Sequence, residues 1–470
     1  MAIVPLRTAA LKCLRPYAAG RSPLAAGAAM ATVLWACMGL GAPGTSSAQA
    51  VQAAVPVGAP AAASLQTAAA QGLFKQMEPE KERVLQTLKT LVDIESGSLD
   101  LEGLKAVSQV VAQRLAAAGM EVRTIPARAP AFHPLLKGAE LGPMVMGRKF
   151  GKGAKKVLLI AHMDTVYPKG SAQQRPFRID GDKAFGLGIV DDKGGVALIL
   201  HAVEWLARTG FNDYAELAVL INGDEEVGSP GSGPTLVELG GQYDAVLSFE
   251  GGGGRTDMVR LATSSIAIAE LKITGRASHA GGNPEGGRNA IYELAHQIMK
   301  TRNLGKPEKG LKINWTVVEG GGVRNVIPAH ASAIADIRSL TNSDLDEMEA
   351  ALRASILDKL IPDTQAELTF FRSRPAFVPN AAAVALARHA QSVFQDIGLS
   401  LEIRDRATGG GTDAAFAGLS PKGGVLESFG LRGFGAHSND NEYVMIDSII
   451  PRLYLATRMV MDVGSGKVRW

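Results

Sequence analysis

The sequence predicts an α/β protein with a mostly parallel sheet and a smaller α+β unit inserted into it. Three observations point there. Short apolar runs at residues 157–161, 218–222 and 245–249 alternate with helix-length segments, which is the mark of buried parallel strands. Near Ser264 the pattern changes to a strand-helix-strand-strand-helix-strand order, and strand-helix character resumes after Pro375. Each of the first runs also leads into polar chemistry: His162-Met163-Asp164, Asp224-Glu225-Glu226 and Glu250. Ligands of open α/β sheets bind at the carboxyl ends of the strands, so these residues should meet along one edge.

In chain order, three-to-four spacing of Val84, Leu85, Leu88, Leu91 and Val92 predicts a helix from about Pro79. A second helix covers about 101–118 and stops at Gly119, and a strand follows at 121–125. After a long loop comes the strand ending at His162, then a glycine loop over 186–195, a helix over about 195–209 and the strand leading to Glu225. The inserted unit reads as strands near 266–274, 311–318, 331–338 and 366–372, with helices near 288–299 and 344–357, an order expected of a split βαβ sandwich. A helix at 381–395, a glycine loop at 409–414, an apolar run at 424–427 and a last helix near 446–461 return to the first domain. The boundaries are therefore 1–50, 51–78, 79–263, 264–374 and 375–470, the second segment being an Ala-rich flexible leader.

The first 50 residues read as a signal peptide. Arg7, Lys12, Arg15 and Arg21 precede an apolar stretch over 24–40, and Ala48-Gln49-Ala50 closes it. An uncleaved membrane anchor is the alternative; Cys37 is a poor lipoprotein site beside the bulky Trp35. Cleavage after Ala50 removes four basic charges and takes the formal net charge from +3 to −1, so the basic balance says nothing of nucleic acid. It also removes both cysteines, Cys13 and Cys37, which excludes thiol chemistry, thiolate metal ligands and disulfides in the mature chain. No later segment has the roughly 20 apolar residues of a membrane span. Export to a periplasm, with no membrane attachment after cleavage, is expected.

The candidate chemistry is metal hydrolysis. Asp191 in the glycine loop has two carboxylate oxygens and can bridge two ions. His162 with Glu250 would complete one site, and Glu226 with His437 the other, leaving each ion an open position as in catalytic zinc sites. Two divalent cations would balance the three carboxylates and a shared hydroxide. Asp164 can accept the second imidazole N–H of His162. Glu225, beside a ligand but diverging from it, is placed to act as a general base on a metal-bridging hydroxide or water. Gly186-x-Gly188 lacks the strand start and acidic partner of a dinucleotide loop. His133, His201, His296, His330 and His389 read as surface or packing residues.

Taken in order, these motifs, together with Ala277-Ser278-His279-Ala280-Gly281, Gly409-Gly410-Gly411-Thr412-Asp413-Ala414 and Gly433-Phe434-Gly435-Ala436-His437-Ser438, resemble the M20 family of co-catalytic zinc peptidases. The likeness is strongest to its glutamate carboxypeptidase (carboxypeptidase G2-like) branch and runs from about residue 80 to 463. The resemblance implies a catalytic domain with an inserted lid and dimerisation domain, and two Zn²⁺ ions, with Co²⁺ or Mn²⁺ suited to the same ligands. It implies Asp191 as bridge, His162, Glu226, Glu250 and His437 as terminal ligands, and Glu225 as base. His279 would reach the oxyanion in the partner subunit of a homodimer. Asn325, Arg338, Gly410 and Gly411 would hold the substrate's free carboxylate. The expected reaction releases a C-terminal amino acid, plausibly glutamate, from a small peptide or N-acyl conjugate. An N-acyl-amino-acid amidohydrolase or dipeptidase is the alternative within the family, and a non-catalytic periplasmic ligand-binding protein the alternative outside it. The run Gly251-Gly252-Gly253-Gly254 departs from the branch's usual stretch. Arg260, Arg372 and Arg374 are candidate cations for an acidic side chain, with no motif to orient them.

Overall fold

The computed structural model describes residues 59–470 apart from 131, 132, 134, 135, 137, 439 and 440, with side chains from Thr67 onward. The signal segment and the start of the leader lie outside the described residues. The rest of the leader departs from expectation, because Ala59–Gln76 is a helix, α1. Its C-terminal end docks on the last helix of the chain, where the Phe74 ring meets Tyr454 edge-on at 5.6 Å. Alanine is the best helix former, but a segment so uniformly alanine carries no period from which a buried face can be read.

The following elements are α2 (Glu80–Val92), α3 (Leu101–Ala117), β1 (Glu121–Ile125), β2 (Met144–Phe150) and β3 (Lys156–His162). Then come α4 (Gly194–Arg208), β4 (Glu216–Asn222), α5 (Gly233–Gly240) and β5 (Ala245–Ser248). The second unit holds β6 (Ser265–Thr274), α6 (Ala290–Thr301), β7 (Lys312–Gly320), β8 (His330–Ser339), α7 (Asn342–Ser355) and β9 (Gln365–Arg374). The chain finishes with α8 (Ala381–Gln395), β10 (Gly424–Leu426) and α9 (Ile449–Gly464).

The main sheet has the order β1-β2-β4-β3-β5-β10. β4, β3, β5 and β10 are parallel, and β2 and β1 extend them antiparallel. β4 is buried along its whole length, which is why it reads as an unbroken apolar run. Side chains alternate between two cores. Val157, Leu159 and Val219 face α2, α3, α4 and α9, whereas Leu158, Ile160 and Leu220 face α5 and Phe377.

The second sheet, β7-β8-β6-β9, is antiparallel throughout. Its two central strands, β8 and β6, alternate between buried and more exposed residues, so one face packs under α6 and α7 and the other stays open. Side-chain caps set the helix starts: Asn289 on α6, Thr341 on α7 and Asn380 on α8 each accept a backbone N–H from the first turn.

A buried polar network ties α2, α3 and α4 together behind the sheet. His201 Nδ1 lies 3.3 Å from Glu80 Oε2, and Arg114 Nη2 lies 3.2 Å from His201 Nε2. Arg114 also grips Glu204 with two bonds. Arginine only donates, so Nε2 accepts and the ring is neutral with its proton on Nδ1. Burial and the Arg114 charge hold the imidazole below its ordinary pKa. The unfolded chain then binds the proton more readily than the folded one, so stability is lost as pH falls through about 6.5 and is unaffected above it. His201→Gln is expected to flatten the decline of Tm between pH 7 and 5. Parallel Tm-against-pH curves for the two proteins would contradict this.

Candidate metal centre

Parallel pairing brings the first candidate ligands together. His162 sits opposite Asn222, and Ile160 opposite Ser248. The strand ends therefore deliver His162, the Asp224-Glu225-Glu226 turn and Glu250 to one edge. Asp191 arrives from the loop before α4, where Gly188 takes φ +72° and the Asp191–Asp192 peptide bond is cis. His437 arrives from the loop after β10. Its φ of +61° is uncommon for a residue with a Cβ, and the loop aims its ring at the carboxylates.

The ligand atoms form two trios, His162/Asp191/Glu250 and Asp191/Glu226/His437, each within 4.8 Å of one another. Asp191 belongs to both. Its Oδ1 is 3.1 Å from His162 Nε2 and its Oδ2 3.2 Å from His437 Nε2. Glu250 Oε1 lies 3.4 Å from His162 Nε2, and Glu226 Oε2 lies 3.2 Å from His437 Nε2. Two ligand atoms bound at about 2.0–2.1 Å to one tetrahedral ion are about 3.3–3.4 Å apart. The residues therefore fit a pair of cations sharing one carboxylate. Glu226 Oε1 is also buried without a hydrogen-bond partner.

Electrostatics agrees with that fit. Asp191 and Glu226 push the His437 imidazole up to about 10. Burial pulls His162 down, but Glu250, Asp164 and Asp191 outweigh it and leave the ring well above its ordinary range. Glu226 and Glu250 are raised, first by burial and then by Asp191. Imidazoles that hold protons this tightly mark a place built for positive charge.

Supporting groups fix the candidate ligands. Asp164 meets His162 Nδ1 twice, through its backbone carbonyl at 3.0 Å and its carboxylate at 3.3 Å. The carboxylate accepts the N–H groups of Glu225 and Glu226 and the Ser98 hydroxyl, so it binds the β4 turn to the β3 end. Glu442 went unnoticed in the sequence. It accepts from the Gly188, Val190 and Asp191 N–H groups at 2.8, 2.9 and 3.3 Å and from the Tyr167 hydroxyl at 2.6 Å. It shapes the loop that presents Asp191. Arg374, at the end of β9, is paired with Glu225 at 2.5 Å and donates to the Gly411 carbonyl at 2.8 Å.

The other expected residues lie outside the two trios. His279 is exposed, in a two-residue strand that pairs with Val326–Ile327 and so lies beside Asn325. Its Nδ1 accepts from the N–H groups of Gly281 and Gly282, which leaves the proton of the neutral ring on Nε2. Asn325 is exposed and its carbonyl accepts from the Ala280 N–H. Arg338 grips Asp336 with two bonds of 2.9 Å and reaches the Gly409 carbonyl at 3.1 Å. Gly410 and Gly411 line a cavity with Asp191 and Glu250. Arg260 lines it too, whereas Arg372 turns away to Asp346 and Glu349.

Fold and cluster together define a metal-dependent hydrolase of the α/β class. The model of peptidase family M20/M25/M40 matches residues 158–462, and the chain belongs to that family. It is 41% identical over 395 residues to carboxypeptidase G2 of Pseudomonas sp. (strain RS-16), covering 84% of this chain and 92% of the relative. A succinyl-diaminopimelate desuccinylase of Stenotrophomonas maltophilia (strain R551-3) is 29% identical over 65% of this chain and 83% of its own. Among solved structures, aminopeptidase PepT from Bacillus cereus superposes with a TM-score of 0.65 at 20% identity, over 82% of this chain and 98% of its own. An M20 metallo-carboxypeptidase from Sulfolobus solfataricus gives 0.64 at 16% identity, over 80% and 98%.

Glu442 touches no metal position, yet it holds the loop of the shared carboxylate. Glu442→Gln is expected to weaken metal binding by about 10–100-fold, read by titration with zinc against a chelating indicator. Unchanged affinity would show that the loop holds its shape without Glu442.

Proposed function

We propose that the protein is an exported carboxypeptidase with two zinc ions. It hydrolyses the amide joining an N-acyl or peptidyl group to a C-terminal amino acid, glutamate foremost, as in folate-type conjugates. One observation carries this reading: Asp191 offers one oxygen to each histidine, and Glu225, buried beside both trios, belongs to neither. Two cations held by these residues would polarise the scissile carbonyl and lower the pKa of a bound water.

The chain's own groups supply the proton transfers and the orientation. Glu225 takes a proton from the attacking water and returns it to the leaving amine nitrogen. Burial raises its pKa while the Arg374 charge opposes the rise, so the carboxylate is both oriented and able to carry a proton. Clefts flank the cluster on two sides. Leu99, Val166, Pro168 and Val227 line the one beside Glu226, which suits the acyl half of a substrate. The cavity beside Glu250, with its glycine loop, suits the amino-acid half.

The inserted unit at 264–374 serves as lid and dimerisation domain in this reading. β7 is an edge strand with Val317 and Val318 exposed, and Tyr292 and Met299 are exposed on α6. Such apolar surface supports pairing of two copies through this domain. His279 would then present its Nε2 proton to the oxyanion of the partner's site, and Asn325 and Arg338 would serve the substrate carboxylate. Export rests on the basic and apolar start of the chain, and no helix among the described residues is long and apolar enough to cross a membrane. The desuccinylase relative keeps open a second reading, in which the protein removes a small acyl group from an amino acid.

Glu225→Gln is expected to lower kcat by about 10²–10⁴-fold with zinc content unchanged, measured by amino-acid release from N-acyl-glutamate and by elemental analysis. A variant that keeps its rate would remove Glu225 from the mechanism. A panel of N-acyl groups and C-terminal residues separates the carboxypeptidase from the deacylase.

A further inference from the structure

The cavity beside the cluster runs from Asp191 and Glu250 to three arginines, Arg255, Arg260 and Arg404, and holds about 900 Å³. The arginines are not equivalent. Arg404 is committed to Glu402 at 3.0 Å, and Arg255 is exposed. Arg260 is only partly exposed and, among the described residues, forms no ion pair. Its Nη1 donates to the Thr408 hydroxyl at 3.1 Å, and its buried Nε has no acceptor. A buried guanidinium N–H without an acceptor is costly, and a carboxylate is the ligand whose two oxygens match the guanidinium fork.

The backbone around Arg260 fixes where the side chain stands. Residues Met258–Arg260 form a short strand paired with Glu402–Arg404. On its other side Arg260 exchanges two backbone hydrogen bonds with Glu427, at 2.9 and 3.1 Å. The Glu427 carboxyl, also on the cavity wall, takes the Thr412 hydroxyl at 3.3 Å and stands outside ion-pair distance of Arg260. Arg452 braces the same backbone. Its fully buried guanidinium donates to the Gly430 carbonyl at 2.7 Å and the Met258 carbonyl at 3.0 Å. The Arg260 strand is thereby tied to the segment after β10, and the Gly430 N–H in turn meets the Glu250 carbonyl at 2.9 Å. The same backbone frame holds both the candidate metal ligand Glu250 and Arg260, whose charge also acts on the neighbouring buried Glu427 carboxyl.

We propose that Arg260 is the specificity residue of this cavity: it binds the side-chain carboxylate of an acidic C-terminal residue and selects it over a neutral one of the same size. The inference rests on the carboxypeptidase reading for its substrate orientation. It departs from the resemblance in assigning the side-chain carboxylate to a residue outside the set expected for the free α-carboxylate.

The test compares N-benzoyl-glutamate with N-benzoyl-glutamine on the full-length zinc-loaded protein, in wild type, Arg260→Gln and Arg260→Lys. Wild type is expected to prefer the glutamate conjugate in kcat/KM. Arg260→Gln is expected to reduce that ratio by about 10–150-fold, the value of a hydrogen-bonded charge, and Arg260→Lys to keep part of it. A purely structural role would lower both substrates together, so an unchanged ratio overturns the proposal. Should wild type cleave neither conjugate, the carboxypeptidase reading fails, and calorimetry with free L-glutamate and L-glutamine on the same variants still decides the role of Arg260. Loss of glutamate preference in Arg260→Gln supports it, and equal binding in all three proteins overturns it.

Discussion

Three carboxylates and two imidazoles crowded within bonding distance make a charge arrangement that the chain alone does not satisfy. Asp191 stands at its centre, with a histidine at each oxygen and a glutamate behind each histidine. Without added positive charge, the imidazoles must keep their protons, and His437 is driven up to about 10. Divalent cations held by these residues would replace those protons and offset the repulsion among the carboxylates. The architecture around the edge serves to hold that arrangement in place.

The supporting contacts are long-range for this reason. Glu442 reaches the Asp191 loop across 252 residues of sequence, and Arg374 reaches Glu225 across 149. The second contact joins the two sheets, because Arg374 ends β9 and Glu225 lies past the end of β4. Any shift of the inserted unit against the main sheet would therefore be felt at Glu225, and through the Arg374 bond at Gly411 also at the glycine loop. Arg338 adds a second link to that loop through the Gly409 carbonyl. Glu225 and the glycine loop at the cavity wall are thus both coupled to the inserted unit by two arginines.

Much of this was legible in the sequence where local pattern and environment coincide. β3 and β4 are buried on both faces and read as apolar runs, and the central strands of the second sheet, β6 and β8, read as alternation. The five candidate ligands were legible because each follows a strand end or a glycine loop. What stayed hidden depended on distant partners. Glu442 is one acidic residue among many until the Asp191 loop folds against it. Arg374 resembled a pocket cation because nothing local reveals that it pairs with Glu225. The helix at 59–76 was read as a leader because alanine favours helix everywhere and marks no face.

The most direct test of the shared Asp191 is a crystal structure of the zinc-loaded protein with anomalous data at the zinc edge. Two peaks about 3.5–4 Å apart, each with one Asp191 oxygen in its coordination shell, are the expected result. A single peak, or a pair with Asp191 bound to only one of them, would contradict the account.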